Sequence, residues 1–186
     1  AGIEWLVEKE KVDILCVTLT HTKGFEKPEM KGFTSYYRNR SGERCGGGVA
    51  LLIKKELNVE CIKICDGAEG EFLSVKINGF KRDLVIVVHY GNHVREGTEN
   101  MTLAMKEVGE EIDNYINNHN SDVLWLGDQN AWVGDLVDGN DKRINKAGRL
   151  MIDIINRNKM EVFNNDCRRG TTFRDPNSGI DRALDI

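Results

Sequence analysis

The sequence predicts a mixed α/β fold (α+β in detail): two stacked, mixed β-sheets flanked by helices. Short apolar or alternating runs recur along the chain, as strands require. Only two long stretches carry an apolar stripe at helical spacing. The 186 residues include just two prolines and no Pro/Gly/Ser linker, so one domain over 1–186 is the economical organisation. Strand segments outnumber helical ones. That disfavours regular strand–helix alternation and favours a sheet-on-sheet core.

The elements follow in order. Residues 1–10 read as a short helix with Ile3, Leu6 and Val7 on one side. Asp13–Val17 is nearly unbroken in its apolar character, as an interior strand covered on both faces would be. Thr34–Tyr37 is a short strand after a loop. Gly46-Gly47-Gly48 leads into the strand Val49–Ile53; no Lys-Ser/Thr follows, so close packing or a turn explains the glycines better than a P-loop. Val59–Ile64 and Phe72–Ile77 alternate like half-buried strands. Leu84–Val88 is the most apolar strand and ends at His89-Tyr90-Gly91. Thr98 is placed to cap a long helix whose stripe is Met101, Met105, Val108, Ile112 and Tyr115. Asp122–Gly127 is the next strand. A polar loop then leads to a helix with Ala147, Leu150, Met151, Ile154 and Ile155 on one face. Met160–Phe163, Thr171–Phe173 and Ile180–Ile186 are expected as short strands.

The composition is 40% hydrophobic and 30% charged, as in soluble globular proteins. No apolar run approaches the ~20 residues of a membrane helix, and no secretory signal is visible; an intracellular place, nuclear or cytoplasmic, is expected. The five cysteines show neither a CxxC pair nor zinc spacing and read as reduced structural thiols. A net charge of −4 argues against a generally basic nucleic-acid binder. Yet residues 142–186 carry ten Lys/Arg against six Asp/Glu. That is either a local basic face for phosphates or a mixed solvated surface.

Leu124-Trp125-Leu126-Gly127-Asp128-Gln129-Asn130-Ala131 is the most informative stretch. An apolar strand ends in a glycine, and a carboxylate and an amide follow two positions apart. If the strand pleat continues, Asp128 and Asn130 face the same point. A carboxylate can take a proton from water, and an amide can hold a phosphate oxygen without adding repulsive charge. That combination suits phosphate-ester hydrolysis. The plainer alternative is a strand followed by an Asx turn. His89 reads as packing, on the side of its strand opposite to Tyr90. His21, His93 and His119 form no ligand pattern.

With these segments placed, the chain resembles the endonuclease/exonuclease/phosphatase superfamily. It is most similar to the endonuclease domains of non-LTR retrotransposons, relatives of the apurinic endonucleases. Val12–Thr20 resembles the family strand that ends in Glu-Thr, Gly46–Ala50 its Gly-Gly-Val-Ala strand, and His89-Tyr90-Gly91 the strand ending in its active-site tyrosine. Gly127–Ala131 resembles Gly-Asp-Phe-Asn-Ala, with Gln129 in place of the usual Phe. Lys146–Leu150 resembles the opening of the helix usual in retroelement members. Thr171-Thr172-Phe173 and Ser178–Asp181 resemble the Thr-Trp and Ile-Asp-Tyr near the family's end. The resemblance implies a four-layer sandwich, a phosphodiester hydrolase that nicks DNA, and a divalent cation, Mg²⁺ or Mn²⁺. It assigns Asp128 to the attacking water, Asn130 and Tyr90 to the phosphate, and Asp181 to orienting a histidine. Arg38, Arg40, Thr172 and Arg174 are candidates for contact with nucleic acid.

The departures from the family pattern are as specific. Leu19 occupies the place of the metal-binding glutamate, and hydrocarbon cannot coordinate a hard cation. The family's first strand, with its active-site asparagine, and its last, with Ser-Asp-His, have no counterpart between Ala1 and Ile186. The domain is therefore expected to be truncated at both ends. It should be weak or inactive as a nuclease and prone to self-association through exposed sheet edges. The alternative is a non-catalytic module of the same lineage that binds nucleic acid or protein. A phosphatase acting on small phosphoesters is a third reading, disfavoured by the retroelement-like helix.

Overall fold

The computed structural model describes residues 2–22, 26–39, 47–57, 60–66, 71–91, 98–136, 143–163, 173–174 and 181–182. In chain order they form α1 (Gly2–Lys9), β1 (Ile14–Thr18), β2 (Phe33–Arg38), β3 (Val49–Lys54), β4 (Cys61–Asp66), β5 (Glu71–Ile77) and β6 (Leu84–Tyr90). Then come α2 (Thr98–Asn117), β7 (Asp122–Leu126), α3 (Lys146–Asn158), β8 (Phe173–Arg174) and β9 (Asp181–Arg182).

One sheet has the order β1-β3-β2 and the other β4-β5-β6-β7. All neighbours are antiparallel except β6 and β7, which run parallel across the α2 crossover. The sheets stack face to face: β3 lies against β5 and β6, β1 against β6, and β2 against β5. Val49, Leu51 and Ile53 from one sheet meet Leu73, Val75, Ile77, Ile86 and Val88 from the other. On the far face of the larger sheet, Phe72, Val85 and Val87 pack under Met105, Val108, Ile112, Tyr115, Met151, Ile154 and Ile155 of α2 and α3. Each such side chain, fully removed from water, stabilises the fold by roughly 1.5–3 kcal/mol. The expected stripes of both helices, from Met105 onward in α2, thus form the outer layer of the core.

Local expectation and structure part in four places. β5 is buried on both faces rather than one, because helices cover the side that carries Ser74 and Lys76. β1 is an outer strand of its sheet, half-buried throughout, and not an interior one. Thr98 lies inside α2 as its first residue. Met160–Val162 is irregular chain, not strand; it follows directly on the left-handed cap that ends α3 at Lys159 (φ 53°). Of the cysteines, Cys16 is a free thiol, pushed up to about 12 by burial, and so unreactive at neutral pH. No described helix is long and apolar enough to cross a membrane.

Candidate active site

The parallel pair β6–β7 sets the site. Its register runs from Leu84↔Asp122 to Val88↔Leu126, and β6 continues past the end of β7 to Tyr90. Beyond those ends the backbones stay joined: the Gly91 N–H donates to the Asp128 carbonyl at 2.8 Å. A Cβ at Gly91 would collide with the Gln129 carbonyl, so only glycine permits this approach. Gly127 ends β7 with φ +121° and lies against the His89 carbonyl, a conformation that L side chains rarely adopt.

Asp128 and Asn130 then come together by a route other than the strand pleat. The positive φ of Gly127 breaks the alternation. The Asn130 N–H donates to Asp128 Oδ1 at 3.0 Å, and Asn130 is left-handed (φ 46°). This is the Asx turn of the plainer alternative. The Asn130 amide donates one proton to the Gly91 carbonyl at 2.8 Å, and an amide nitrogen carries two. Tyr90, Asp128 and Asn130 therefore sit on adjoining segments tied through Gly91.

The rim continues into the other sheet. Glu71 lies directly opposite Tyr90 in the β5–β6 register. It is buried, and its Oε2 accepts the Gly48 N–H at 2.6 Å. The Gly47 and Gly48 carbonyls in turn accept the N–H groups of His21 and Thr20, so the glycines prolong the antiparallel contact of β1 with β3 beyond Thr18↔Val49. Leu19 adjoins them, 39% exposed and with φ 55°. Arg38 pairs with Val49 at the same end of the sheet. Asn145 anchors the turn from behind: its side chain caps α3 through the Gly148 N–H (2.7 Å) and also accepts the Trp132 N–H (3.3 Å). Arg143 stacks on the Trp132 ring at 4.0 Å.

Arg174 and Asp181 are register partners in the β8–β9 pair. Arg40 and Thr172 lie outside the described residues. The sequence did not single out Glu71, Asn145 or the contact between His89 and Gln129. Glu71 heads its strand like any surface glutamate, and its partner Gly48, like the His89–Gln129 contact, is remote in sequence. Only Asn145, just before a helical stripe, carried a local signal as an N-cap.

A family model described as the endonuclease/exonuclease/phosphatase family matches residues 5–185. The chain belongs to that family. Among solved structures, the endonuclease domain of TRAS1, a telomere-specific non-LTR retrotransposon, matches with TM-score 0.66 and 12% identity. The match covers 99% of this chain and 75% of that one. The AP endonuclease from Archaeoglobus fulgidus matches with TM-score 0.63 and 18% identity, over 84% of this chain and 64% of that one. These likenesses show a shared fold: two sheets with flanking helices. A probable RNA-directed DNA polymerase from transposon X-element of Drosophila melanogaster is 41% identical over 56 residues, which is 30% of this chain and 6% of that protein. The chain therefore spans a small part of that polymerase's length.

Among the described residues of this member of the endonuclease/exonuclease/phosphatase family, no three His, Cys, Asp or Glu group to hold a metal, and Leu19 offers hydrocarbon, which cannot coordinate a hard cation.

Proposed function

We propose that the chain is a phosphodiester hydrolase domain of retroelement type, a DNA-nicking endonuclease by descent, whose activity is weak or absent with leucine at position 19. The bond from Gly91 to Asp128 carries this reading, because it joins the two chain segments that bear Tyr90, Asp128 and Asn130 beyond a pair of parallel strands. Asp128 orients the attacking water and accepts its proton, which requires a separation of about 3 Å. The second Nδ2 proton of Asn130 goes to a non-bridging phosphate oxygen. The Tyr90 phenol donates to the phosphate or the leaving oxygen. Asp181 is assigned to orienting the family's phosphate-polarising histidine. Arg38, at the same rim, and Arg40, Thr172 and Arg174 are proposed contacts for the DNA backbone, in an intracellular setting. Dependence on Mg²⁺ or Mn²⁺ is proposed for the form with a carboxylate at position 19.

The test is nicking of supercoiled plasmid by the parent and by Leu19→Glu, with Mg²⁺ and with chelator, beside a DNA-binding measurement. Because Leu19 is 39% exposed, the substitution opens no cavity. Little nicking by the parent and chelator-sensitive nicking by Leu19→Glu support the proposal. DNA binding with no nicking by either supports the non-catalytic module of the same lineage. Neither binding nor nicking by a folded protein overturns the nuclease reading and leaves, of the alternative, only a module that binds protein. Self-association through sheet edges remains part of the proposal, and a concentration-independent monomer on size-exclusion chromatography would remove it.

A further inference from the structure

We infer that His89 and Gln129 act as a positioning pair: a buried side-chain hydrogen bond, reaching from β6 to the turn after β7, holds Tyr90 and the Asp128–Asn130 turn in one arrangement. The inference rests on the function proposed above for what the turn does, and on geometry alone for how it is held.

His89 and Gln129 are 0% and 1% exposed, and His89 Nδ1 is hydrogen-bonded to Gln129 Oε1. Each lies next to a group of the proposed site, His89 before Tyr90 and Gln129 between Asp128 and Asn130. The chemistry fixes the direction of the bond. Gln129 Nε2 donates to the Gly127 carbonyl at 3.3 Å, which leaves Oε1 as the acceptor; the reversed amide would set two oxygens against each other. His89 therefore carries its proton on Nδ1 and a bare lone pair on Nε2. Nε2 has no hydrogen-bond partner among the described residues. A plain hydrocarbon ring would fill the space without that cost, so the Nδ1 donor is what histidine adds.

The surroundings leave the ring little freedom. Trp125 stacks on it with centroids 6.2 Å apart and planes 27° apart, and Phe72 meets it edge-on at 6.5 Å. Burial pushes the imidazole down to about 4, against weaker opposing effects from Gln129 and Glu107, so the donor state is constant around neutral pH. Backbone contacts complete the clamp: Gly127 lies on the His89 carbonyl, and Gly91 on that of Gln129. The two side chains thus close the same junction from beneath that the Gly91 N–H closes from above.

Two substitutions separate positioning from packing in the full chain. His89→Phe keeps a ring but removes the donor. His89→Asn removes the ring but keeps an N–H the same number of bonds from Cα as Nδ1. Amide hydrogen exchange is measured at Gly91 and Asn130, whose N–H groups bond to Asp128, relative to Ile86 and Val87 in β6. Positioning predicts that His89→Phe speeds exchange at Gly91 and Asn130 by roughly ten- to a hundredfold over the β6 amides, the scale of a buried acceptor left unsatisfied. It predicts that His89→Asn changes this ratio far less, even if the whole domain is less stable. Equal acceleration at all four amides in His89→Phe, or a larger local effect in His89→Asn, overturns the inference. Should either variant fail to fold, the ¹⁵N shifts of the His89 ring in the parent decide: Nδ1 protonated and Nε2 bare supports the pair, and the opposite tautomer overturns it. None of these readouts needs DNA, so failure of Leu19→Glu to nick would overturn the proposed function and leave this contrast intact.

Discussion

The Gly91 N–H donates to the Asp128 carbonyl over 2.8 Å, so the strand that delivers Tyr90 and the turn that delivers Asp128 share one backbone bond. The approach is so close that a Cβ at Gly91 would overlap the Gln129 carbonyl. Gly91→Ala must push the two segments apart. The expected loss is about 1–3 kcal/mol of stability, read as a lower urea midpoint with an unchanged m-value. An unchanged midpoint would mean that the junction relaxes freely.

Stability should rise with pH between about 4 and 6.5. Burial lowers the His89 pKa from 6.5 to about 4 in the folded chain. In that window the unfolded chain binds the proton that the folded chain refuses. The folded state is therefore fully favoured above 6.5 and loses stability as pH falls toward 4, by about 3 kcal/mol at most for this group. Denaturant unfolding at pH 7 and pH 5, in the parent and in His89→Phe, checks the assignment. The variant should lose much of the difference, the remainder belonging to carboxylates.

Asn145 accepts from the Gly148 and Trp132 N–H groups at 2.7 and 3.3 Å, so Asn145→Ala removes a helix cap and an anchor of the turn together. The expected loss is about 1–2 kcal/mol. Asn145→Asp keeps the acceptor and should recover most of it, as thermal or urea unfolding would show. Equal losses in the two variants would mean that the cap contributes little.

The two-sheet architecture was legible because each strand is a local pattern: apolar runs for β3 and β6, alternation for β5. What alternation could not reveal is that β5 is covered twice, since Ser74 and Lys76 look like solvent-facing positions. Gly127–Ala131 was legible as chain leaving a strand end, whereas the construction of the turn it forms was not. A period of two predicts that Asp128 and Asn130 share a face through the pleat; the chain joins them through a turn, because Gly127 adopts a φ outside the strand region. His89 read as packing, and it is buried. Its bond to Gln129 spans 40 positions in sequence, and nothing local at either residue announces the other. Glu71 was missed for the same reason: its partner, Gly48, belongs to the opposite sheet.

The central claim, that Asp128 performs phosphodiester chemistry at this junction, is tested most directly by comparing plasmid nicking by Leu19→Glu with that by Leu19→Glu combined with Asp128→Asn. Asparagine keeps the size and the turn-forming oxygen but cannot accept the proton of water. A fall of roughly 10²–10³ in nicking rate, with DNA binding unchanged, is the predicted result. Equal nicking by the two forms would contradict it.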